Sequence, residues 1–259
     1  MSTIRKFIEG CLLDSAVEIG RERKRGLTIT AKERNNMATS ADFASEKKII
    51  GRIQKSHPDS IVLSEESHLE ADLMAESLFV VDPIDGTHNF IQNIPLYGIS
   101  IAHFSLGKPT AGGIYLVPQK ELYYAEKGKR PTLNGRGISV SKIRRLEDFF
   151  LMCDSRLHTI EDQGFMKGII ALERMSQHTR FIGSAIYDMG YVACGIADAA
   201  LHFKLKPYDF AAAAFIVERA GGKVTDFEGR AWSLTTQQFL ASNGLQHKEI
   251  LEALKSKQD

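Results

Sequence analysis

The sequence predicts a layered α/β fold, because a strand-rich first half is followed by a second half in which strands and helices alternate. The chain has 259 residues, enough to bury a full core without disulfide or metal cross-links. Its 43% hydrophobic and 25% charged residues exclude a mostly disordered or collagen-like protein. We predict a single domain over residues 1–259, with sub-lobes at approximately 1–145 and 146–259.

The charge balance and the cysteine spacing narrow the class of protein further. There are 33 Lys and Arg against 32 Asp and Glu, so a global attraction to nucleic acid or membrane is not indicated. Cys11, Cys153 and Cys194 are odd in number and far apart, and we interpret them as reduced, buried thiols. Neither a signal core nor a membrane-spanning stretch is evident, so we expect a cytoplasmic protein.

The first predicted helix covers residues 2–25, where apolar side chains recur at helical period. Ser2 is placed to cap its start and Gly26 to end it. A basic run at 21–25 lies in the last turns, where cations suit the helix dipole, and we interpret it as a solvated helix end. Residues 27–39 are polar and are expected to be irregular.

A second helix and a series of strands are predicted next. The helix spans about 41–55 and ends before the sequence His-Pro-Asp at 57–59, since the residue before a proline disfavours helical geometry. Short apolar runs at 61–63 and 78–81 are typical of buried strands. Gln119-Lys120 suggests a hairpin among four further strands, at 96–105, 112–117, 121–126 and 137–141.

The second half of the chain alternates between the two element types. Strands are predicted near 149–153, 180–182, 198–203, 223–226 and 239–242. Helices are predicted near 161–174, 184–194, 208–220 and 246–256. This alternation predicts stacked layers of helix and sheet.

Three acidic segments stand at the ends of predicted elements. Ser64–Ser67 (SEES) follows the strand at 61–63, and Asp82–Phe90 (DPIDGTHNF) follows the strand at 78–81. Pro207–Ala213 (PYDFAAA) begins a helix. Functional groups of layered α/β proteins often gather at such element ends, so the three segments are candidates for one site.

The central segment has the chemistry of a metal-assisted phosphoryl site. Asp82 and Asp85 stand three residues apart with a proline between them. A turn there would bring both carboxylates and the Ile84 carbonyl to one point, a set of oxygens that hard divalent cations prefer. Gly86 lets the backbone approach a ligand, and a helix beginning near Thr87 would offer free N–H groups to a phosphate.

Each segment also has a purely structural interpretation. A lone Asp-Pro-x-Asp-Gly is commonly a turn, a Glu-Glu pair is commonly solvated surface, and an Asp before an alanine-rich helix is commonly its cap. His88 and His103 are candidates for a softer metal, but no His-rich spacing supports them. The occurrence of all three segments at element ends favours a metal site over three separate structural roles.

These segments resemble the signature motifs of the inositol monophosphatase family, part of the Mg²⁺-dependent, lithium-sensitive phosphatase superfamily. The long central motif is the most specific, the other two occur in the same order, and Ala220-Gly221-Gly222 fits a further region. The resemblance extends from the N-terminal helix to Leu240–Asn243. It implies an α-β-α-β-α five-layer sandwich of the sugar phosphatase type, a Mg²⁺-dependent phosphoric monoester hydrolase and commonly a homodimer.

The resemblance assigns roles to the matching residues. It implies a first Mg²⁺ held by Glu65, Asp82 and the Ile84 carbonyl, and a second held by Asp82, Asp85 and Asp209. It also implies that Glu65 and Thr87 orient the attacking water and that the Gly86 and Thr87 amides hold the phosphate. The full set comprises Glu65, Asp85 and Thr87 for catalysis, Glu65, Asp82, Ile84, Asp85 and Asp209 for metal, Gly86 and Thr87 for phosphate, and Gly183, Ser184, Ala185 and His202 for substrate.

Two departures from the family pattern bear on metal number and substrate. Asn36 stands six residues before Asp42, where the family carries an acid that helps bind a third metal, so two or three ions are expected. His202 stands seven residues before Asp209, where inositol-specific members carry a glutamate. Either His202 ends a strand and points away, or it marks a substrate other than plain inositol phosphate, with neighbouring lysines meeting a second anionic group.

The resemblance therefore predicts Mg²⁺-dependent hydrolysis of a small-molecule phosphate monoester, similar to inositol-1-phosphate phosphatase. The same chemistry on fructose 1,6-bisphosphate, histidinol phosphate or a 3′-phosphonucleotide is the alternative. A regulatory protein that keeps the fold and binds a transcription or RNA-processing partner is the alternative of another class. The expected partners are the phosphate ester and a second copy of the chain, with no membrane and no nucleic acid.

Overall fold

In a computed structural model of the protein, which describes residues 2–33, 36–153 and 163–255, two large β-sheets alternate with layers of helices. The order of the layers is helix, sheet, helix, sheet, helix, which confirms the predicted five-layer α/β sandwich. Within the described ranges, no helix combines the length and apolar character needed to span a bilayer.

The first outer layer consists of helices α1 (Thr3–Arg25) and α2 (Ser40–Ser56). Ser2 caps α1, since its hydroxyl accepts a hydrogen bond from the Arg5 N–H at 3.3 Å, and Gly26 ends the helix with a φ of 96°. The apolar face predicted from the sequence packs on the first sheet through the buried residues Phe7, Ile8, Cys11, Leu12 and Ile19.

The first sheet contains seven strands. They are β3 (Ile61–Ser64), β4 (Leu78–Asp85), β5 (Gly98–Ser105), β6 (Lys108–Leu116), β7 (Glu121–Glu126), β8 (Thr132–Leu133) and β9 (Arg136–Gly137). They lie side by side in chain order, with β3 and β4 parallel and each later pair antiparallel. The hairpin predicted at Gln119-Lys120 joins β6 and β7.

A short hairpin occupies part of the polar segment 27–39, so the expectation of irregular structure there is wrong. Strand β1 (Ile29–Glu33) pairs antiparallel with β2 (Asn36–Thr39). Ala38 and Thr39 of β2 are buried, whereas Ile29 and Ala31 of β1 are exposed. Such a hairpin lacks the apolar alternation by which a strand is recognised in a sequence.

Helices α5 (Ala185–Cys194) and α6 (Pro207–Arg219) form the middle layer between the two sheets. Alanines on α6 let it approach the first sheet closely. A Cβ on Gly112 of β6 would lie 3.2 Å from both the Cα and the carbonyl oxygen of Ala212, so a larger residue would push the layers apart. Cys11 and Cys153 are buried, as predicted, but Cys194 at the end of α5 is half-buried.

The second sheet and two further helices complete the sandwich. Its strands are β10 (Phe150–Cys153), β11 (His178–Arg180), β12 (Ala199–His202), β13 (Lys223–Thr225) and β14 (Phe239–Ser242). Their spatial order is β11-β10-β12-β14-β13. Helices α4 (Gln163–Met175) and α7 (His247–Lys255) cover the outer face. Residues 161–162 of the predicted helix at 161–174 lie outside the described ranges.

Two predicted strands are misplaced. Residues 138–141 join no sheet in the described structure, because the Val140 N–H donates to the Ala220 carbonyl at 3.1 Å and the Ser141 hydroxyl donates to Asp198. The strand predicted at 180–182 ends at Arg180 instead, since its pairing with β10 begins two residues earlier. The apolar Phe181, within the predicted strand, is 51% exposed in the connection to α5.

Two histidines away from the acidic segments are expected to make the fold sensitive to acid. His247 lies between the hydroxyls of Thr225 and Ser242, 2.8 and 2.7 Å from its ring nitrogens, and His103 lies within the first sheet. Burial lowers the pKa of each histidine to about 4. Since an unfolded histidine titrates near 6.5, their stabilising contribution is complete above that pH and is lost as the pH falls toward 4.

We expect wild type to lose about 2 kcal/mol more stability than His247→Gln between pH 7 and pH 5. Glutamine keeps a hydrogen-bonding group between the two hydroxyls but does not titrate. Urea unfolding at the two pH values measures the difference, and contributions from carboxylates cancel because both proteins share them. An equal loss in both proteins would contradict the assignment.

Candidate active site

The three acidic segments converge at one edge of the first sheet. Because β3 and β4 are adjacent parallel strands, Glu65 after β3 and the pair Asp82 and Asp85 in β4 lie at the same edge. Asp209 lies in the first turn of α6, which packs on this sheet. Asp82 interacts electrostatically with the other three. We call these four carboxylates the acidic cluster.

The end of β4 is an irregular strand rather than the free turn that the sequence predicts. The pairing of β4 with β5 shifts register between Asp82 and Asp85. Pro83 has no N–H to donate to the ladder, which explains the irregularity. The Ile84 N–H donates instead to Asp82 Oδ1 at 3.0 Å. Both carboxylates therefore stand within β4 and not on a loop.

Gly86 joins β4 to α3 (Thr87–Ile91), the short helix that the sequence predicts. Its φ of 81° is in the left-handed region, which glycine adopts without strain. A Cβ there would also lie 2.8 Å from the Leu96 carbonyl oxygen and 3.3 Å from the Ser184 Cβ. The position requires glycine for its conformation and for space.

Asp85 is held by the start of α5. The Ser184 hydroxyl donates to Asp85 Oδ1, and the Ala185 N–H donates to Oδ2 at 3.2 Å. Ser184 and Ala185 are buried, whereas Gly183 is exposed with a φ of 78°. The structure thus brings two of the residues predicted for substrate binding into contact with a residue predicted to bind metal.

Burial and mutual repulsion oppose negative charge in the acidic cluster. Asp82 is 1% exposed, and burial followed by the charge of Glu65 raises its pKa well above the usual range. Burial and then the charge of Asp209 raise the pKa of Glu65 to about 8. Lys32 of β1 offsets part of this charge, since its Nζ lies 3.4 Å from Glu65 and 2.5 Å from Glu66. A bound cation would relieve the remaining repulsion.

Asp42 joins the site although sequence reasoning treats it only as the start of α2. Its Oδ2 accepts hydrogen bonds from the Thr39 N–H and hydroxyl at 2.7 and 2.6 Å, which caps the helix. Its Oδ1 accepts from the Thr87 hydroxyl at 3.2 Å, and that hydroxyl lies 2.8 Å from the Ile84 carbonyl oxygen. The Thr-x-x-Asp spacing indicates a cap, but nothing in the sequence directs Asp42 toward Thr87.

The donor set fits a hard divalent cation, although the side chains do not form a finished cage. Among residues 2–33, 36–153 and 163–255, no three His, Cys, Asp or Glu side chains converge tightly enough to hold an ion. One reason is that cluster oxygens accept protein hydrogen bonds: Ser184 donates to Asp85, and the Lys206 N–H donates to Asp209 at 2.7 Å. Clustered, repelling carboxylates beside a carbonyl oxygen are ligands that Mg²⁺ prefers, so the chemistry of the donor set fits this cation.

The other positions singled out by the sequence have different settings. His202 ends β12, is 1% exposed, and its Nε2 lies 3.6 Å from Asp188 Oδ2. The structure therefore buries His202, and its contact with a substrate stays a prediction. His88 is exposed on α3, whereas His103 hydrogen-bonds within the first sheet. Asn36 begins β2, but its side chain lies outside the described set.

Comparison with known protein families explains why these motifs occur together. The family described as "Inositol monophosphatase family" matches residues 2–259. The chain belongs to the inositol monophosphatase family. This membership confirms the resemblance drawn from the acidic segments and agrees with the layered fold. The names of related proteins therefore indicate which chemistry this family member can be expected to share.

Some relatives of this family member are named as phosphatases, and others are named Nus factor SuhB. The fructose-1,6-bisphosphatase/inositol-1-monophosphatase of Thermotoga maritima is 32% identical over 219 residues, which cover 85% of this chain and 82% of that protein. The Nus factor SuhB of Pasteurella multocida is 33% identical over 240 residues, covering 91% and 88%. The crystal structure of extragenic suppressor protein suhB from Bartonella henselae matches with a TM-score of 0.92 at 30% identity, covering 98% and 99%. Family membership and these names support phosphatase chemistry for this chain.

Proposed function

We propose that this protein is a Mg²⁺-dependent hydrolase of a small phosphate monoester. The observation that carries the proposal is the acidic cluster, which stands beside the Gly86 turn and the Thr87 hydroxyl. Bringing four acids together, with Asp82 and Asp85 buried, is unfavourable unless a cation offsets their charge. Phosphate esters are the substrates that such paired cations commonly bind and activate.

Two Mg²⁺ ions are proposed, with Glu65, Asp82 and the Ile84 carbonyl at one, and Asp82, Asp85 and Asp209 at the other. A third ion has less support because Asn36 replaces an acid of the family pattern. When bound, the ions would neutralise the phosphate and stabilise the charge that develops on it during hydrolysis. Asp85 and Asp209 would exchange some of their protein hydrogen bonds for a cation.

Thr87 is proposed to orient the attacking water together with Glu65. The Asp42 carboxylate accepts from the Thr87 hydroxyl, so it fixes the direction in which that hydroxyl can interact. The Gly86 and Thr87 amides, at the start of α3, are proposed to hold the phosphate. Asp85 connects the proposed metal ligands to the residues predicted to bind substrate, because Ser184 and Ala185 donate hydrogen bonds to its carboxylate.

The proposed substrate is inositol phosphate or a similar polyol or sugar phosphate. The alternative is the same chemistry on fructose 1,6-bisphosphate, histidinol phosphate or a 3′-phosphonucleotide. The name of the Thermotoga maritima relative includes both fructose-1,6-bisphosphatase and inositol-1-monophosphatase, which favours these two substrates. Lys204 and Lys206 are exposed just before α6 and could meet a second anionic group.

Phosphate release with and without Mg²⁺ tests the proposal on a panel of four esters. The panel contains inositol 1-phosphate, fructose 1,6-bisphosphate, histidinol phosphate and adenosine 3′,5′-bisphosphate. We expect Mg²⁺-dependent release, strongest from one of the first two. Preference for a bisphosphate would support the interpretation that His202 marks a changed specificity. Absence of Mg²⁺-dependent release from every ester would contradict the proposed activity.

A regulatory role is the second candidate, because several relatives are named Nus factors. Partner binding through the surface would not need the acidic cluster to bind metal. A substitution within the cluster therefore separates the two roles, since it should abolish hydrolysis and leave partner binding largely intact. A homodimer and a cytoplasmic location also stay predictions.

A further inference from the structure

Arg23 differs from the other basic residues at the end of α1. Arg21 and Arg25 are exposed, and each pairs with a glutamate one turn earlier, Glu18 and Glu22. The Arg23 side chain instead turns inward, and its buried Nε meets no hydrogen-bond acceptor within the described residues. The predicted solvated helix end therefore holds for Arg21 and Arg25 but is wrong for Arg23.

The Arg23 guanidinium contacts α3 through both its edge and its face. Its Nη2 donates to the Phe90 carbonyl oxygen at 2.6 Å, and its Nη1 donates to the Tyr97 hydroxyl at 3.4 Å. Its central carbon lies 4.1 Å from the centre of the Phe90 ring and 5.2 Å from that of Tyr97. Both rings are buried, so these cation–π contacts form where water competes little.

Helix α3 depends on outside contacts for its position. It has five residues, too few to be stable alone. Backbone hydrogen bonds run from the Phe90 N–H to the Gly86 carbonyl at 2.9 Å and from the Gln92 N–H to the His88 carbonyl at 3.1 Å. The Asn89 side chain donates to the Leu96 and Ile182 carbonyls at 2.8 and 2.9 Å. Arg23 supplies a separate contact at the carboxyl end, where a cation also suits the helix dipole.

We propose that Arg23 is a positioning residue for the reaction. By holding the carboxyl end of α3, it fixes the place where the Thr87 hydroxyl meets Asp42 at the other end. This inference rests on the proposed function, since it assigns Arg23 an effect on the step in which Thr87 acts. Arginine is required because its planar fork reaches two acceptors while its face covers two rings, whereas lysine offers a single point of charge.

Arg23→Met is expected to lower kcat about tenfold or more and also to raise KM, because the Thr87 hydroxyl and the phosphate-holding Gly86 and Thr87 amides lie on the same helix and lose their fixed position together. Methionine keeps side-chain length and the apolar contact with the rings. Arg23→Lys should fall between this variant and wild type. Arg21→Met and Arg25→Met are the matched controls and should stay within about twofold of wild type, since exposed ion pairs contribute little.

Two further measurements separate positioning from a general loss of stability. Ile19→Val removes a buried methyl group from α1 and should lower the thermal midpoint without lowering kcat. Hydrogen exchange of residues 86–92 should become faster in Arg23→Met than in wild type or Arg21→Met. A kcat within twofold of wild type, or unchanged exchange in this segment, would overturn the inference. An inactive wild type would instead overturn the proposed function, and the exchange data would still decide whether Arg23 holds α3.

Discussion

Asp82→Asn is expected to lower Mg²⁺-dependent phosphate release at least about 100-fold, or about 2.7 kcal/mol of transition-state stabilisation. Asp82 interacts electrostatically with Glu65, Asp85 and Asp209, and it is proposed to contact both ions. Asparagine has nearly the same shape, but its neutral amide is a weaker ligand and leaves the cluster with less charge to hold a cation. Steady-state rates at saturating Mg²⁺ measure the loss.

The same substitution is expected to stabilise the metal-free protein at neutral pH. Burial and neighbouring carboxylates raise the pKa of Asp82, so its contribution to stability is complete below its usual pKa near 4 and is lost as the pH rises toward the raised value. Asparagine carries no charge and loses nothing over this range. The thermal midpoint in EDTA at pH 8 should therefore be higher for Asp82→Asn than for wild type.

Opposite effects on activity and stability would exclude misfolding as the cause of the lost activity. Asp59→Asn is the matched control, because Asp59 is exposed beyond α2 and should leave both quantities unchanged. Activity of Asp82→Asn within a few-fold of wild type would remove Asp82 from the proposed metal ligands. Partner binding that survives the substitution would favour an additional regulatory role.

Thr87→Val is expected to lower kcat about 100-fold with little change in KM, since positioned groups that orient or deprotonate a nucleophile contribute roughly 10²–10⁴. Valine keeps the shape of threonine but has no hydroxyl to place between Asp42 and the Ile84 carbonyl. Asp42 would keep its hydrogen bonds from Thr39, so α2 should remain capped. Initial rates over a range of substrate concentrations separate kcat from KM.

Thr87→Ser is the control for this prediction, because it restores the hydroxyl and removes only a methyl group. It should recover most of the activity that Thr87→Val loses. Equal activity of the valine and serine variants would show that the hydroxyl has no part in the reaction. A higher KM with an unchanged kcat would instead place Thr87 in substrate binding alone.

Much of the fold follows from local patterns in the sequence. The apolar period of α1, the breaks at Gly26 and at 57–59, and the apolar run that becomes β4 each depend on neighbouring residues. The predictions fail where local patterns carry no signal. The β1–β2 hairpin has no alternating apolar pattern, and the apolar Phe181 is exposed in a connection rather than paired in a strand.

The sequence alone identified the four carboxylates of the acidic cluster, although not Asp42. The order and spacing of its carboxylates, with Gly86 and Thr87 after them, are local features that chemistry can interpret as a cation and phosphate site. The position of Gly86 at a left-handed turn is equally local, because its conformation depends on one residue and its neighbours.

Only the tertiary structure decided which of these residues meet. Thr87 reaches Asp42 across 45 positions, Arg23 reaches Phe90 across 67, and Ser184 reaches Asp85 across 99. Such contacts depend on how separate elements pack together, and packing is set by the shape of the whole core rather than by any segment of sequence. For this reason a basic run that resembles a solvated helix end contains one arginine that holds α3 in place.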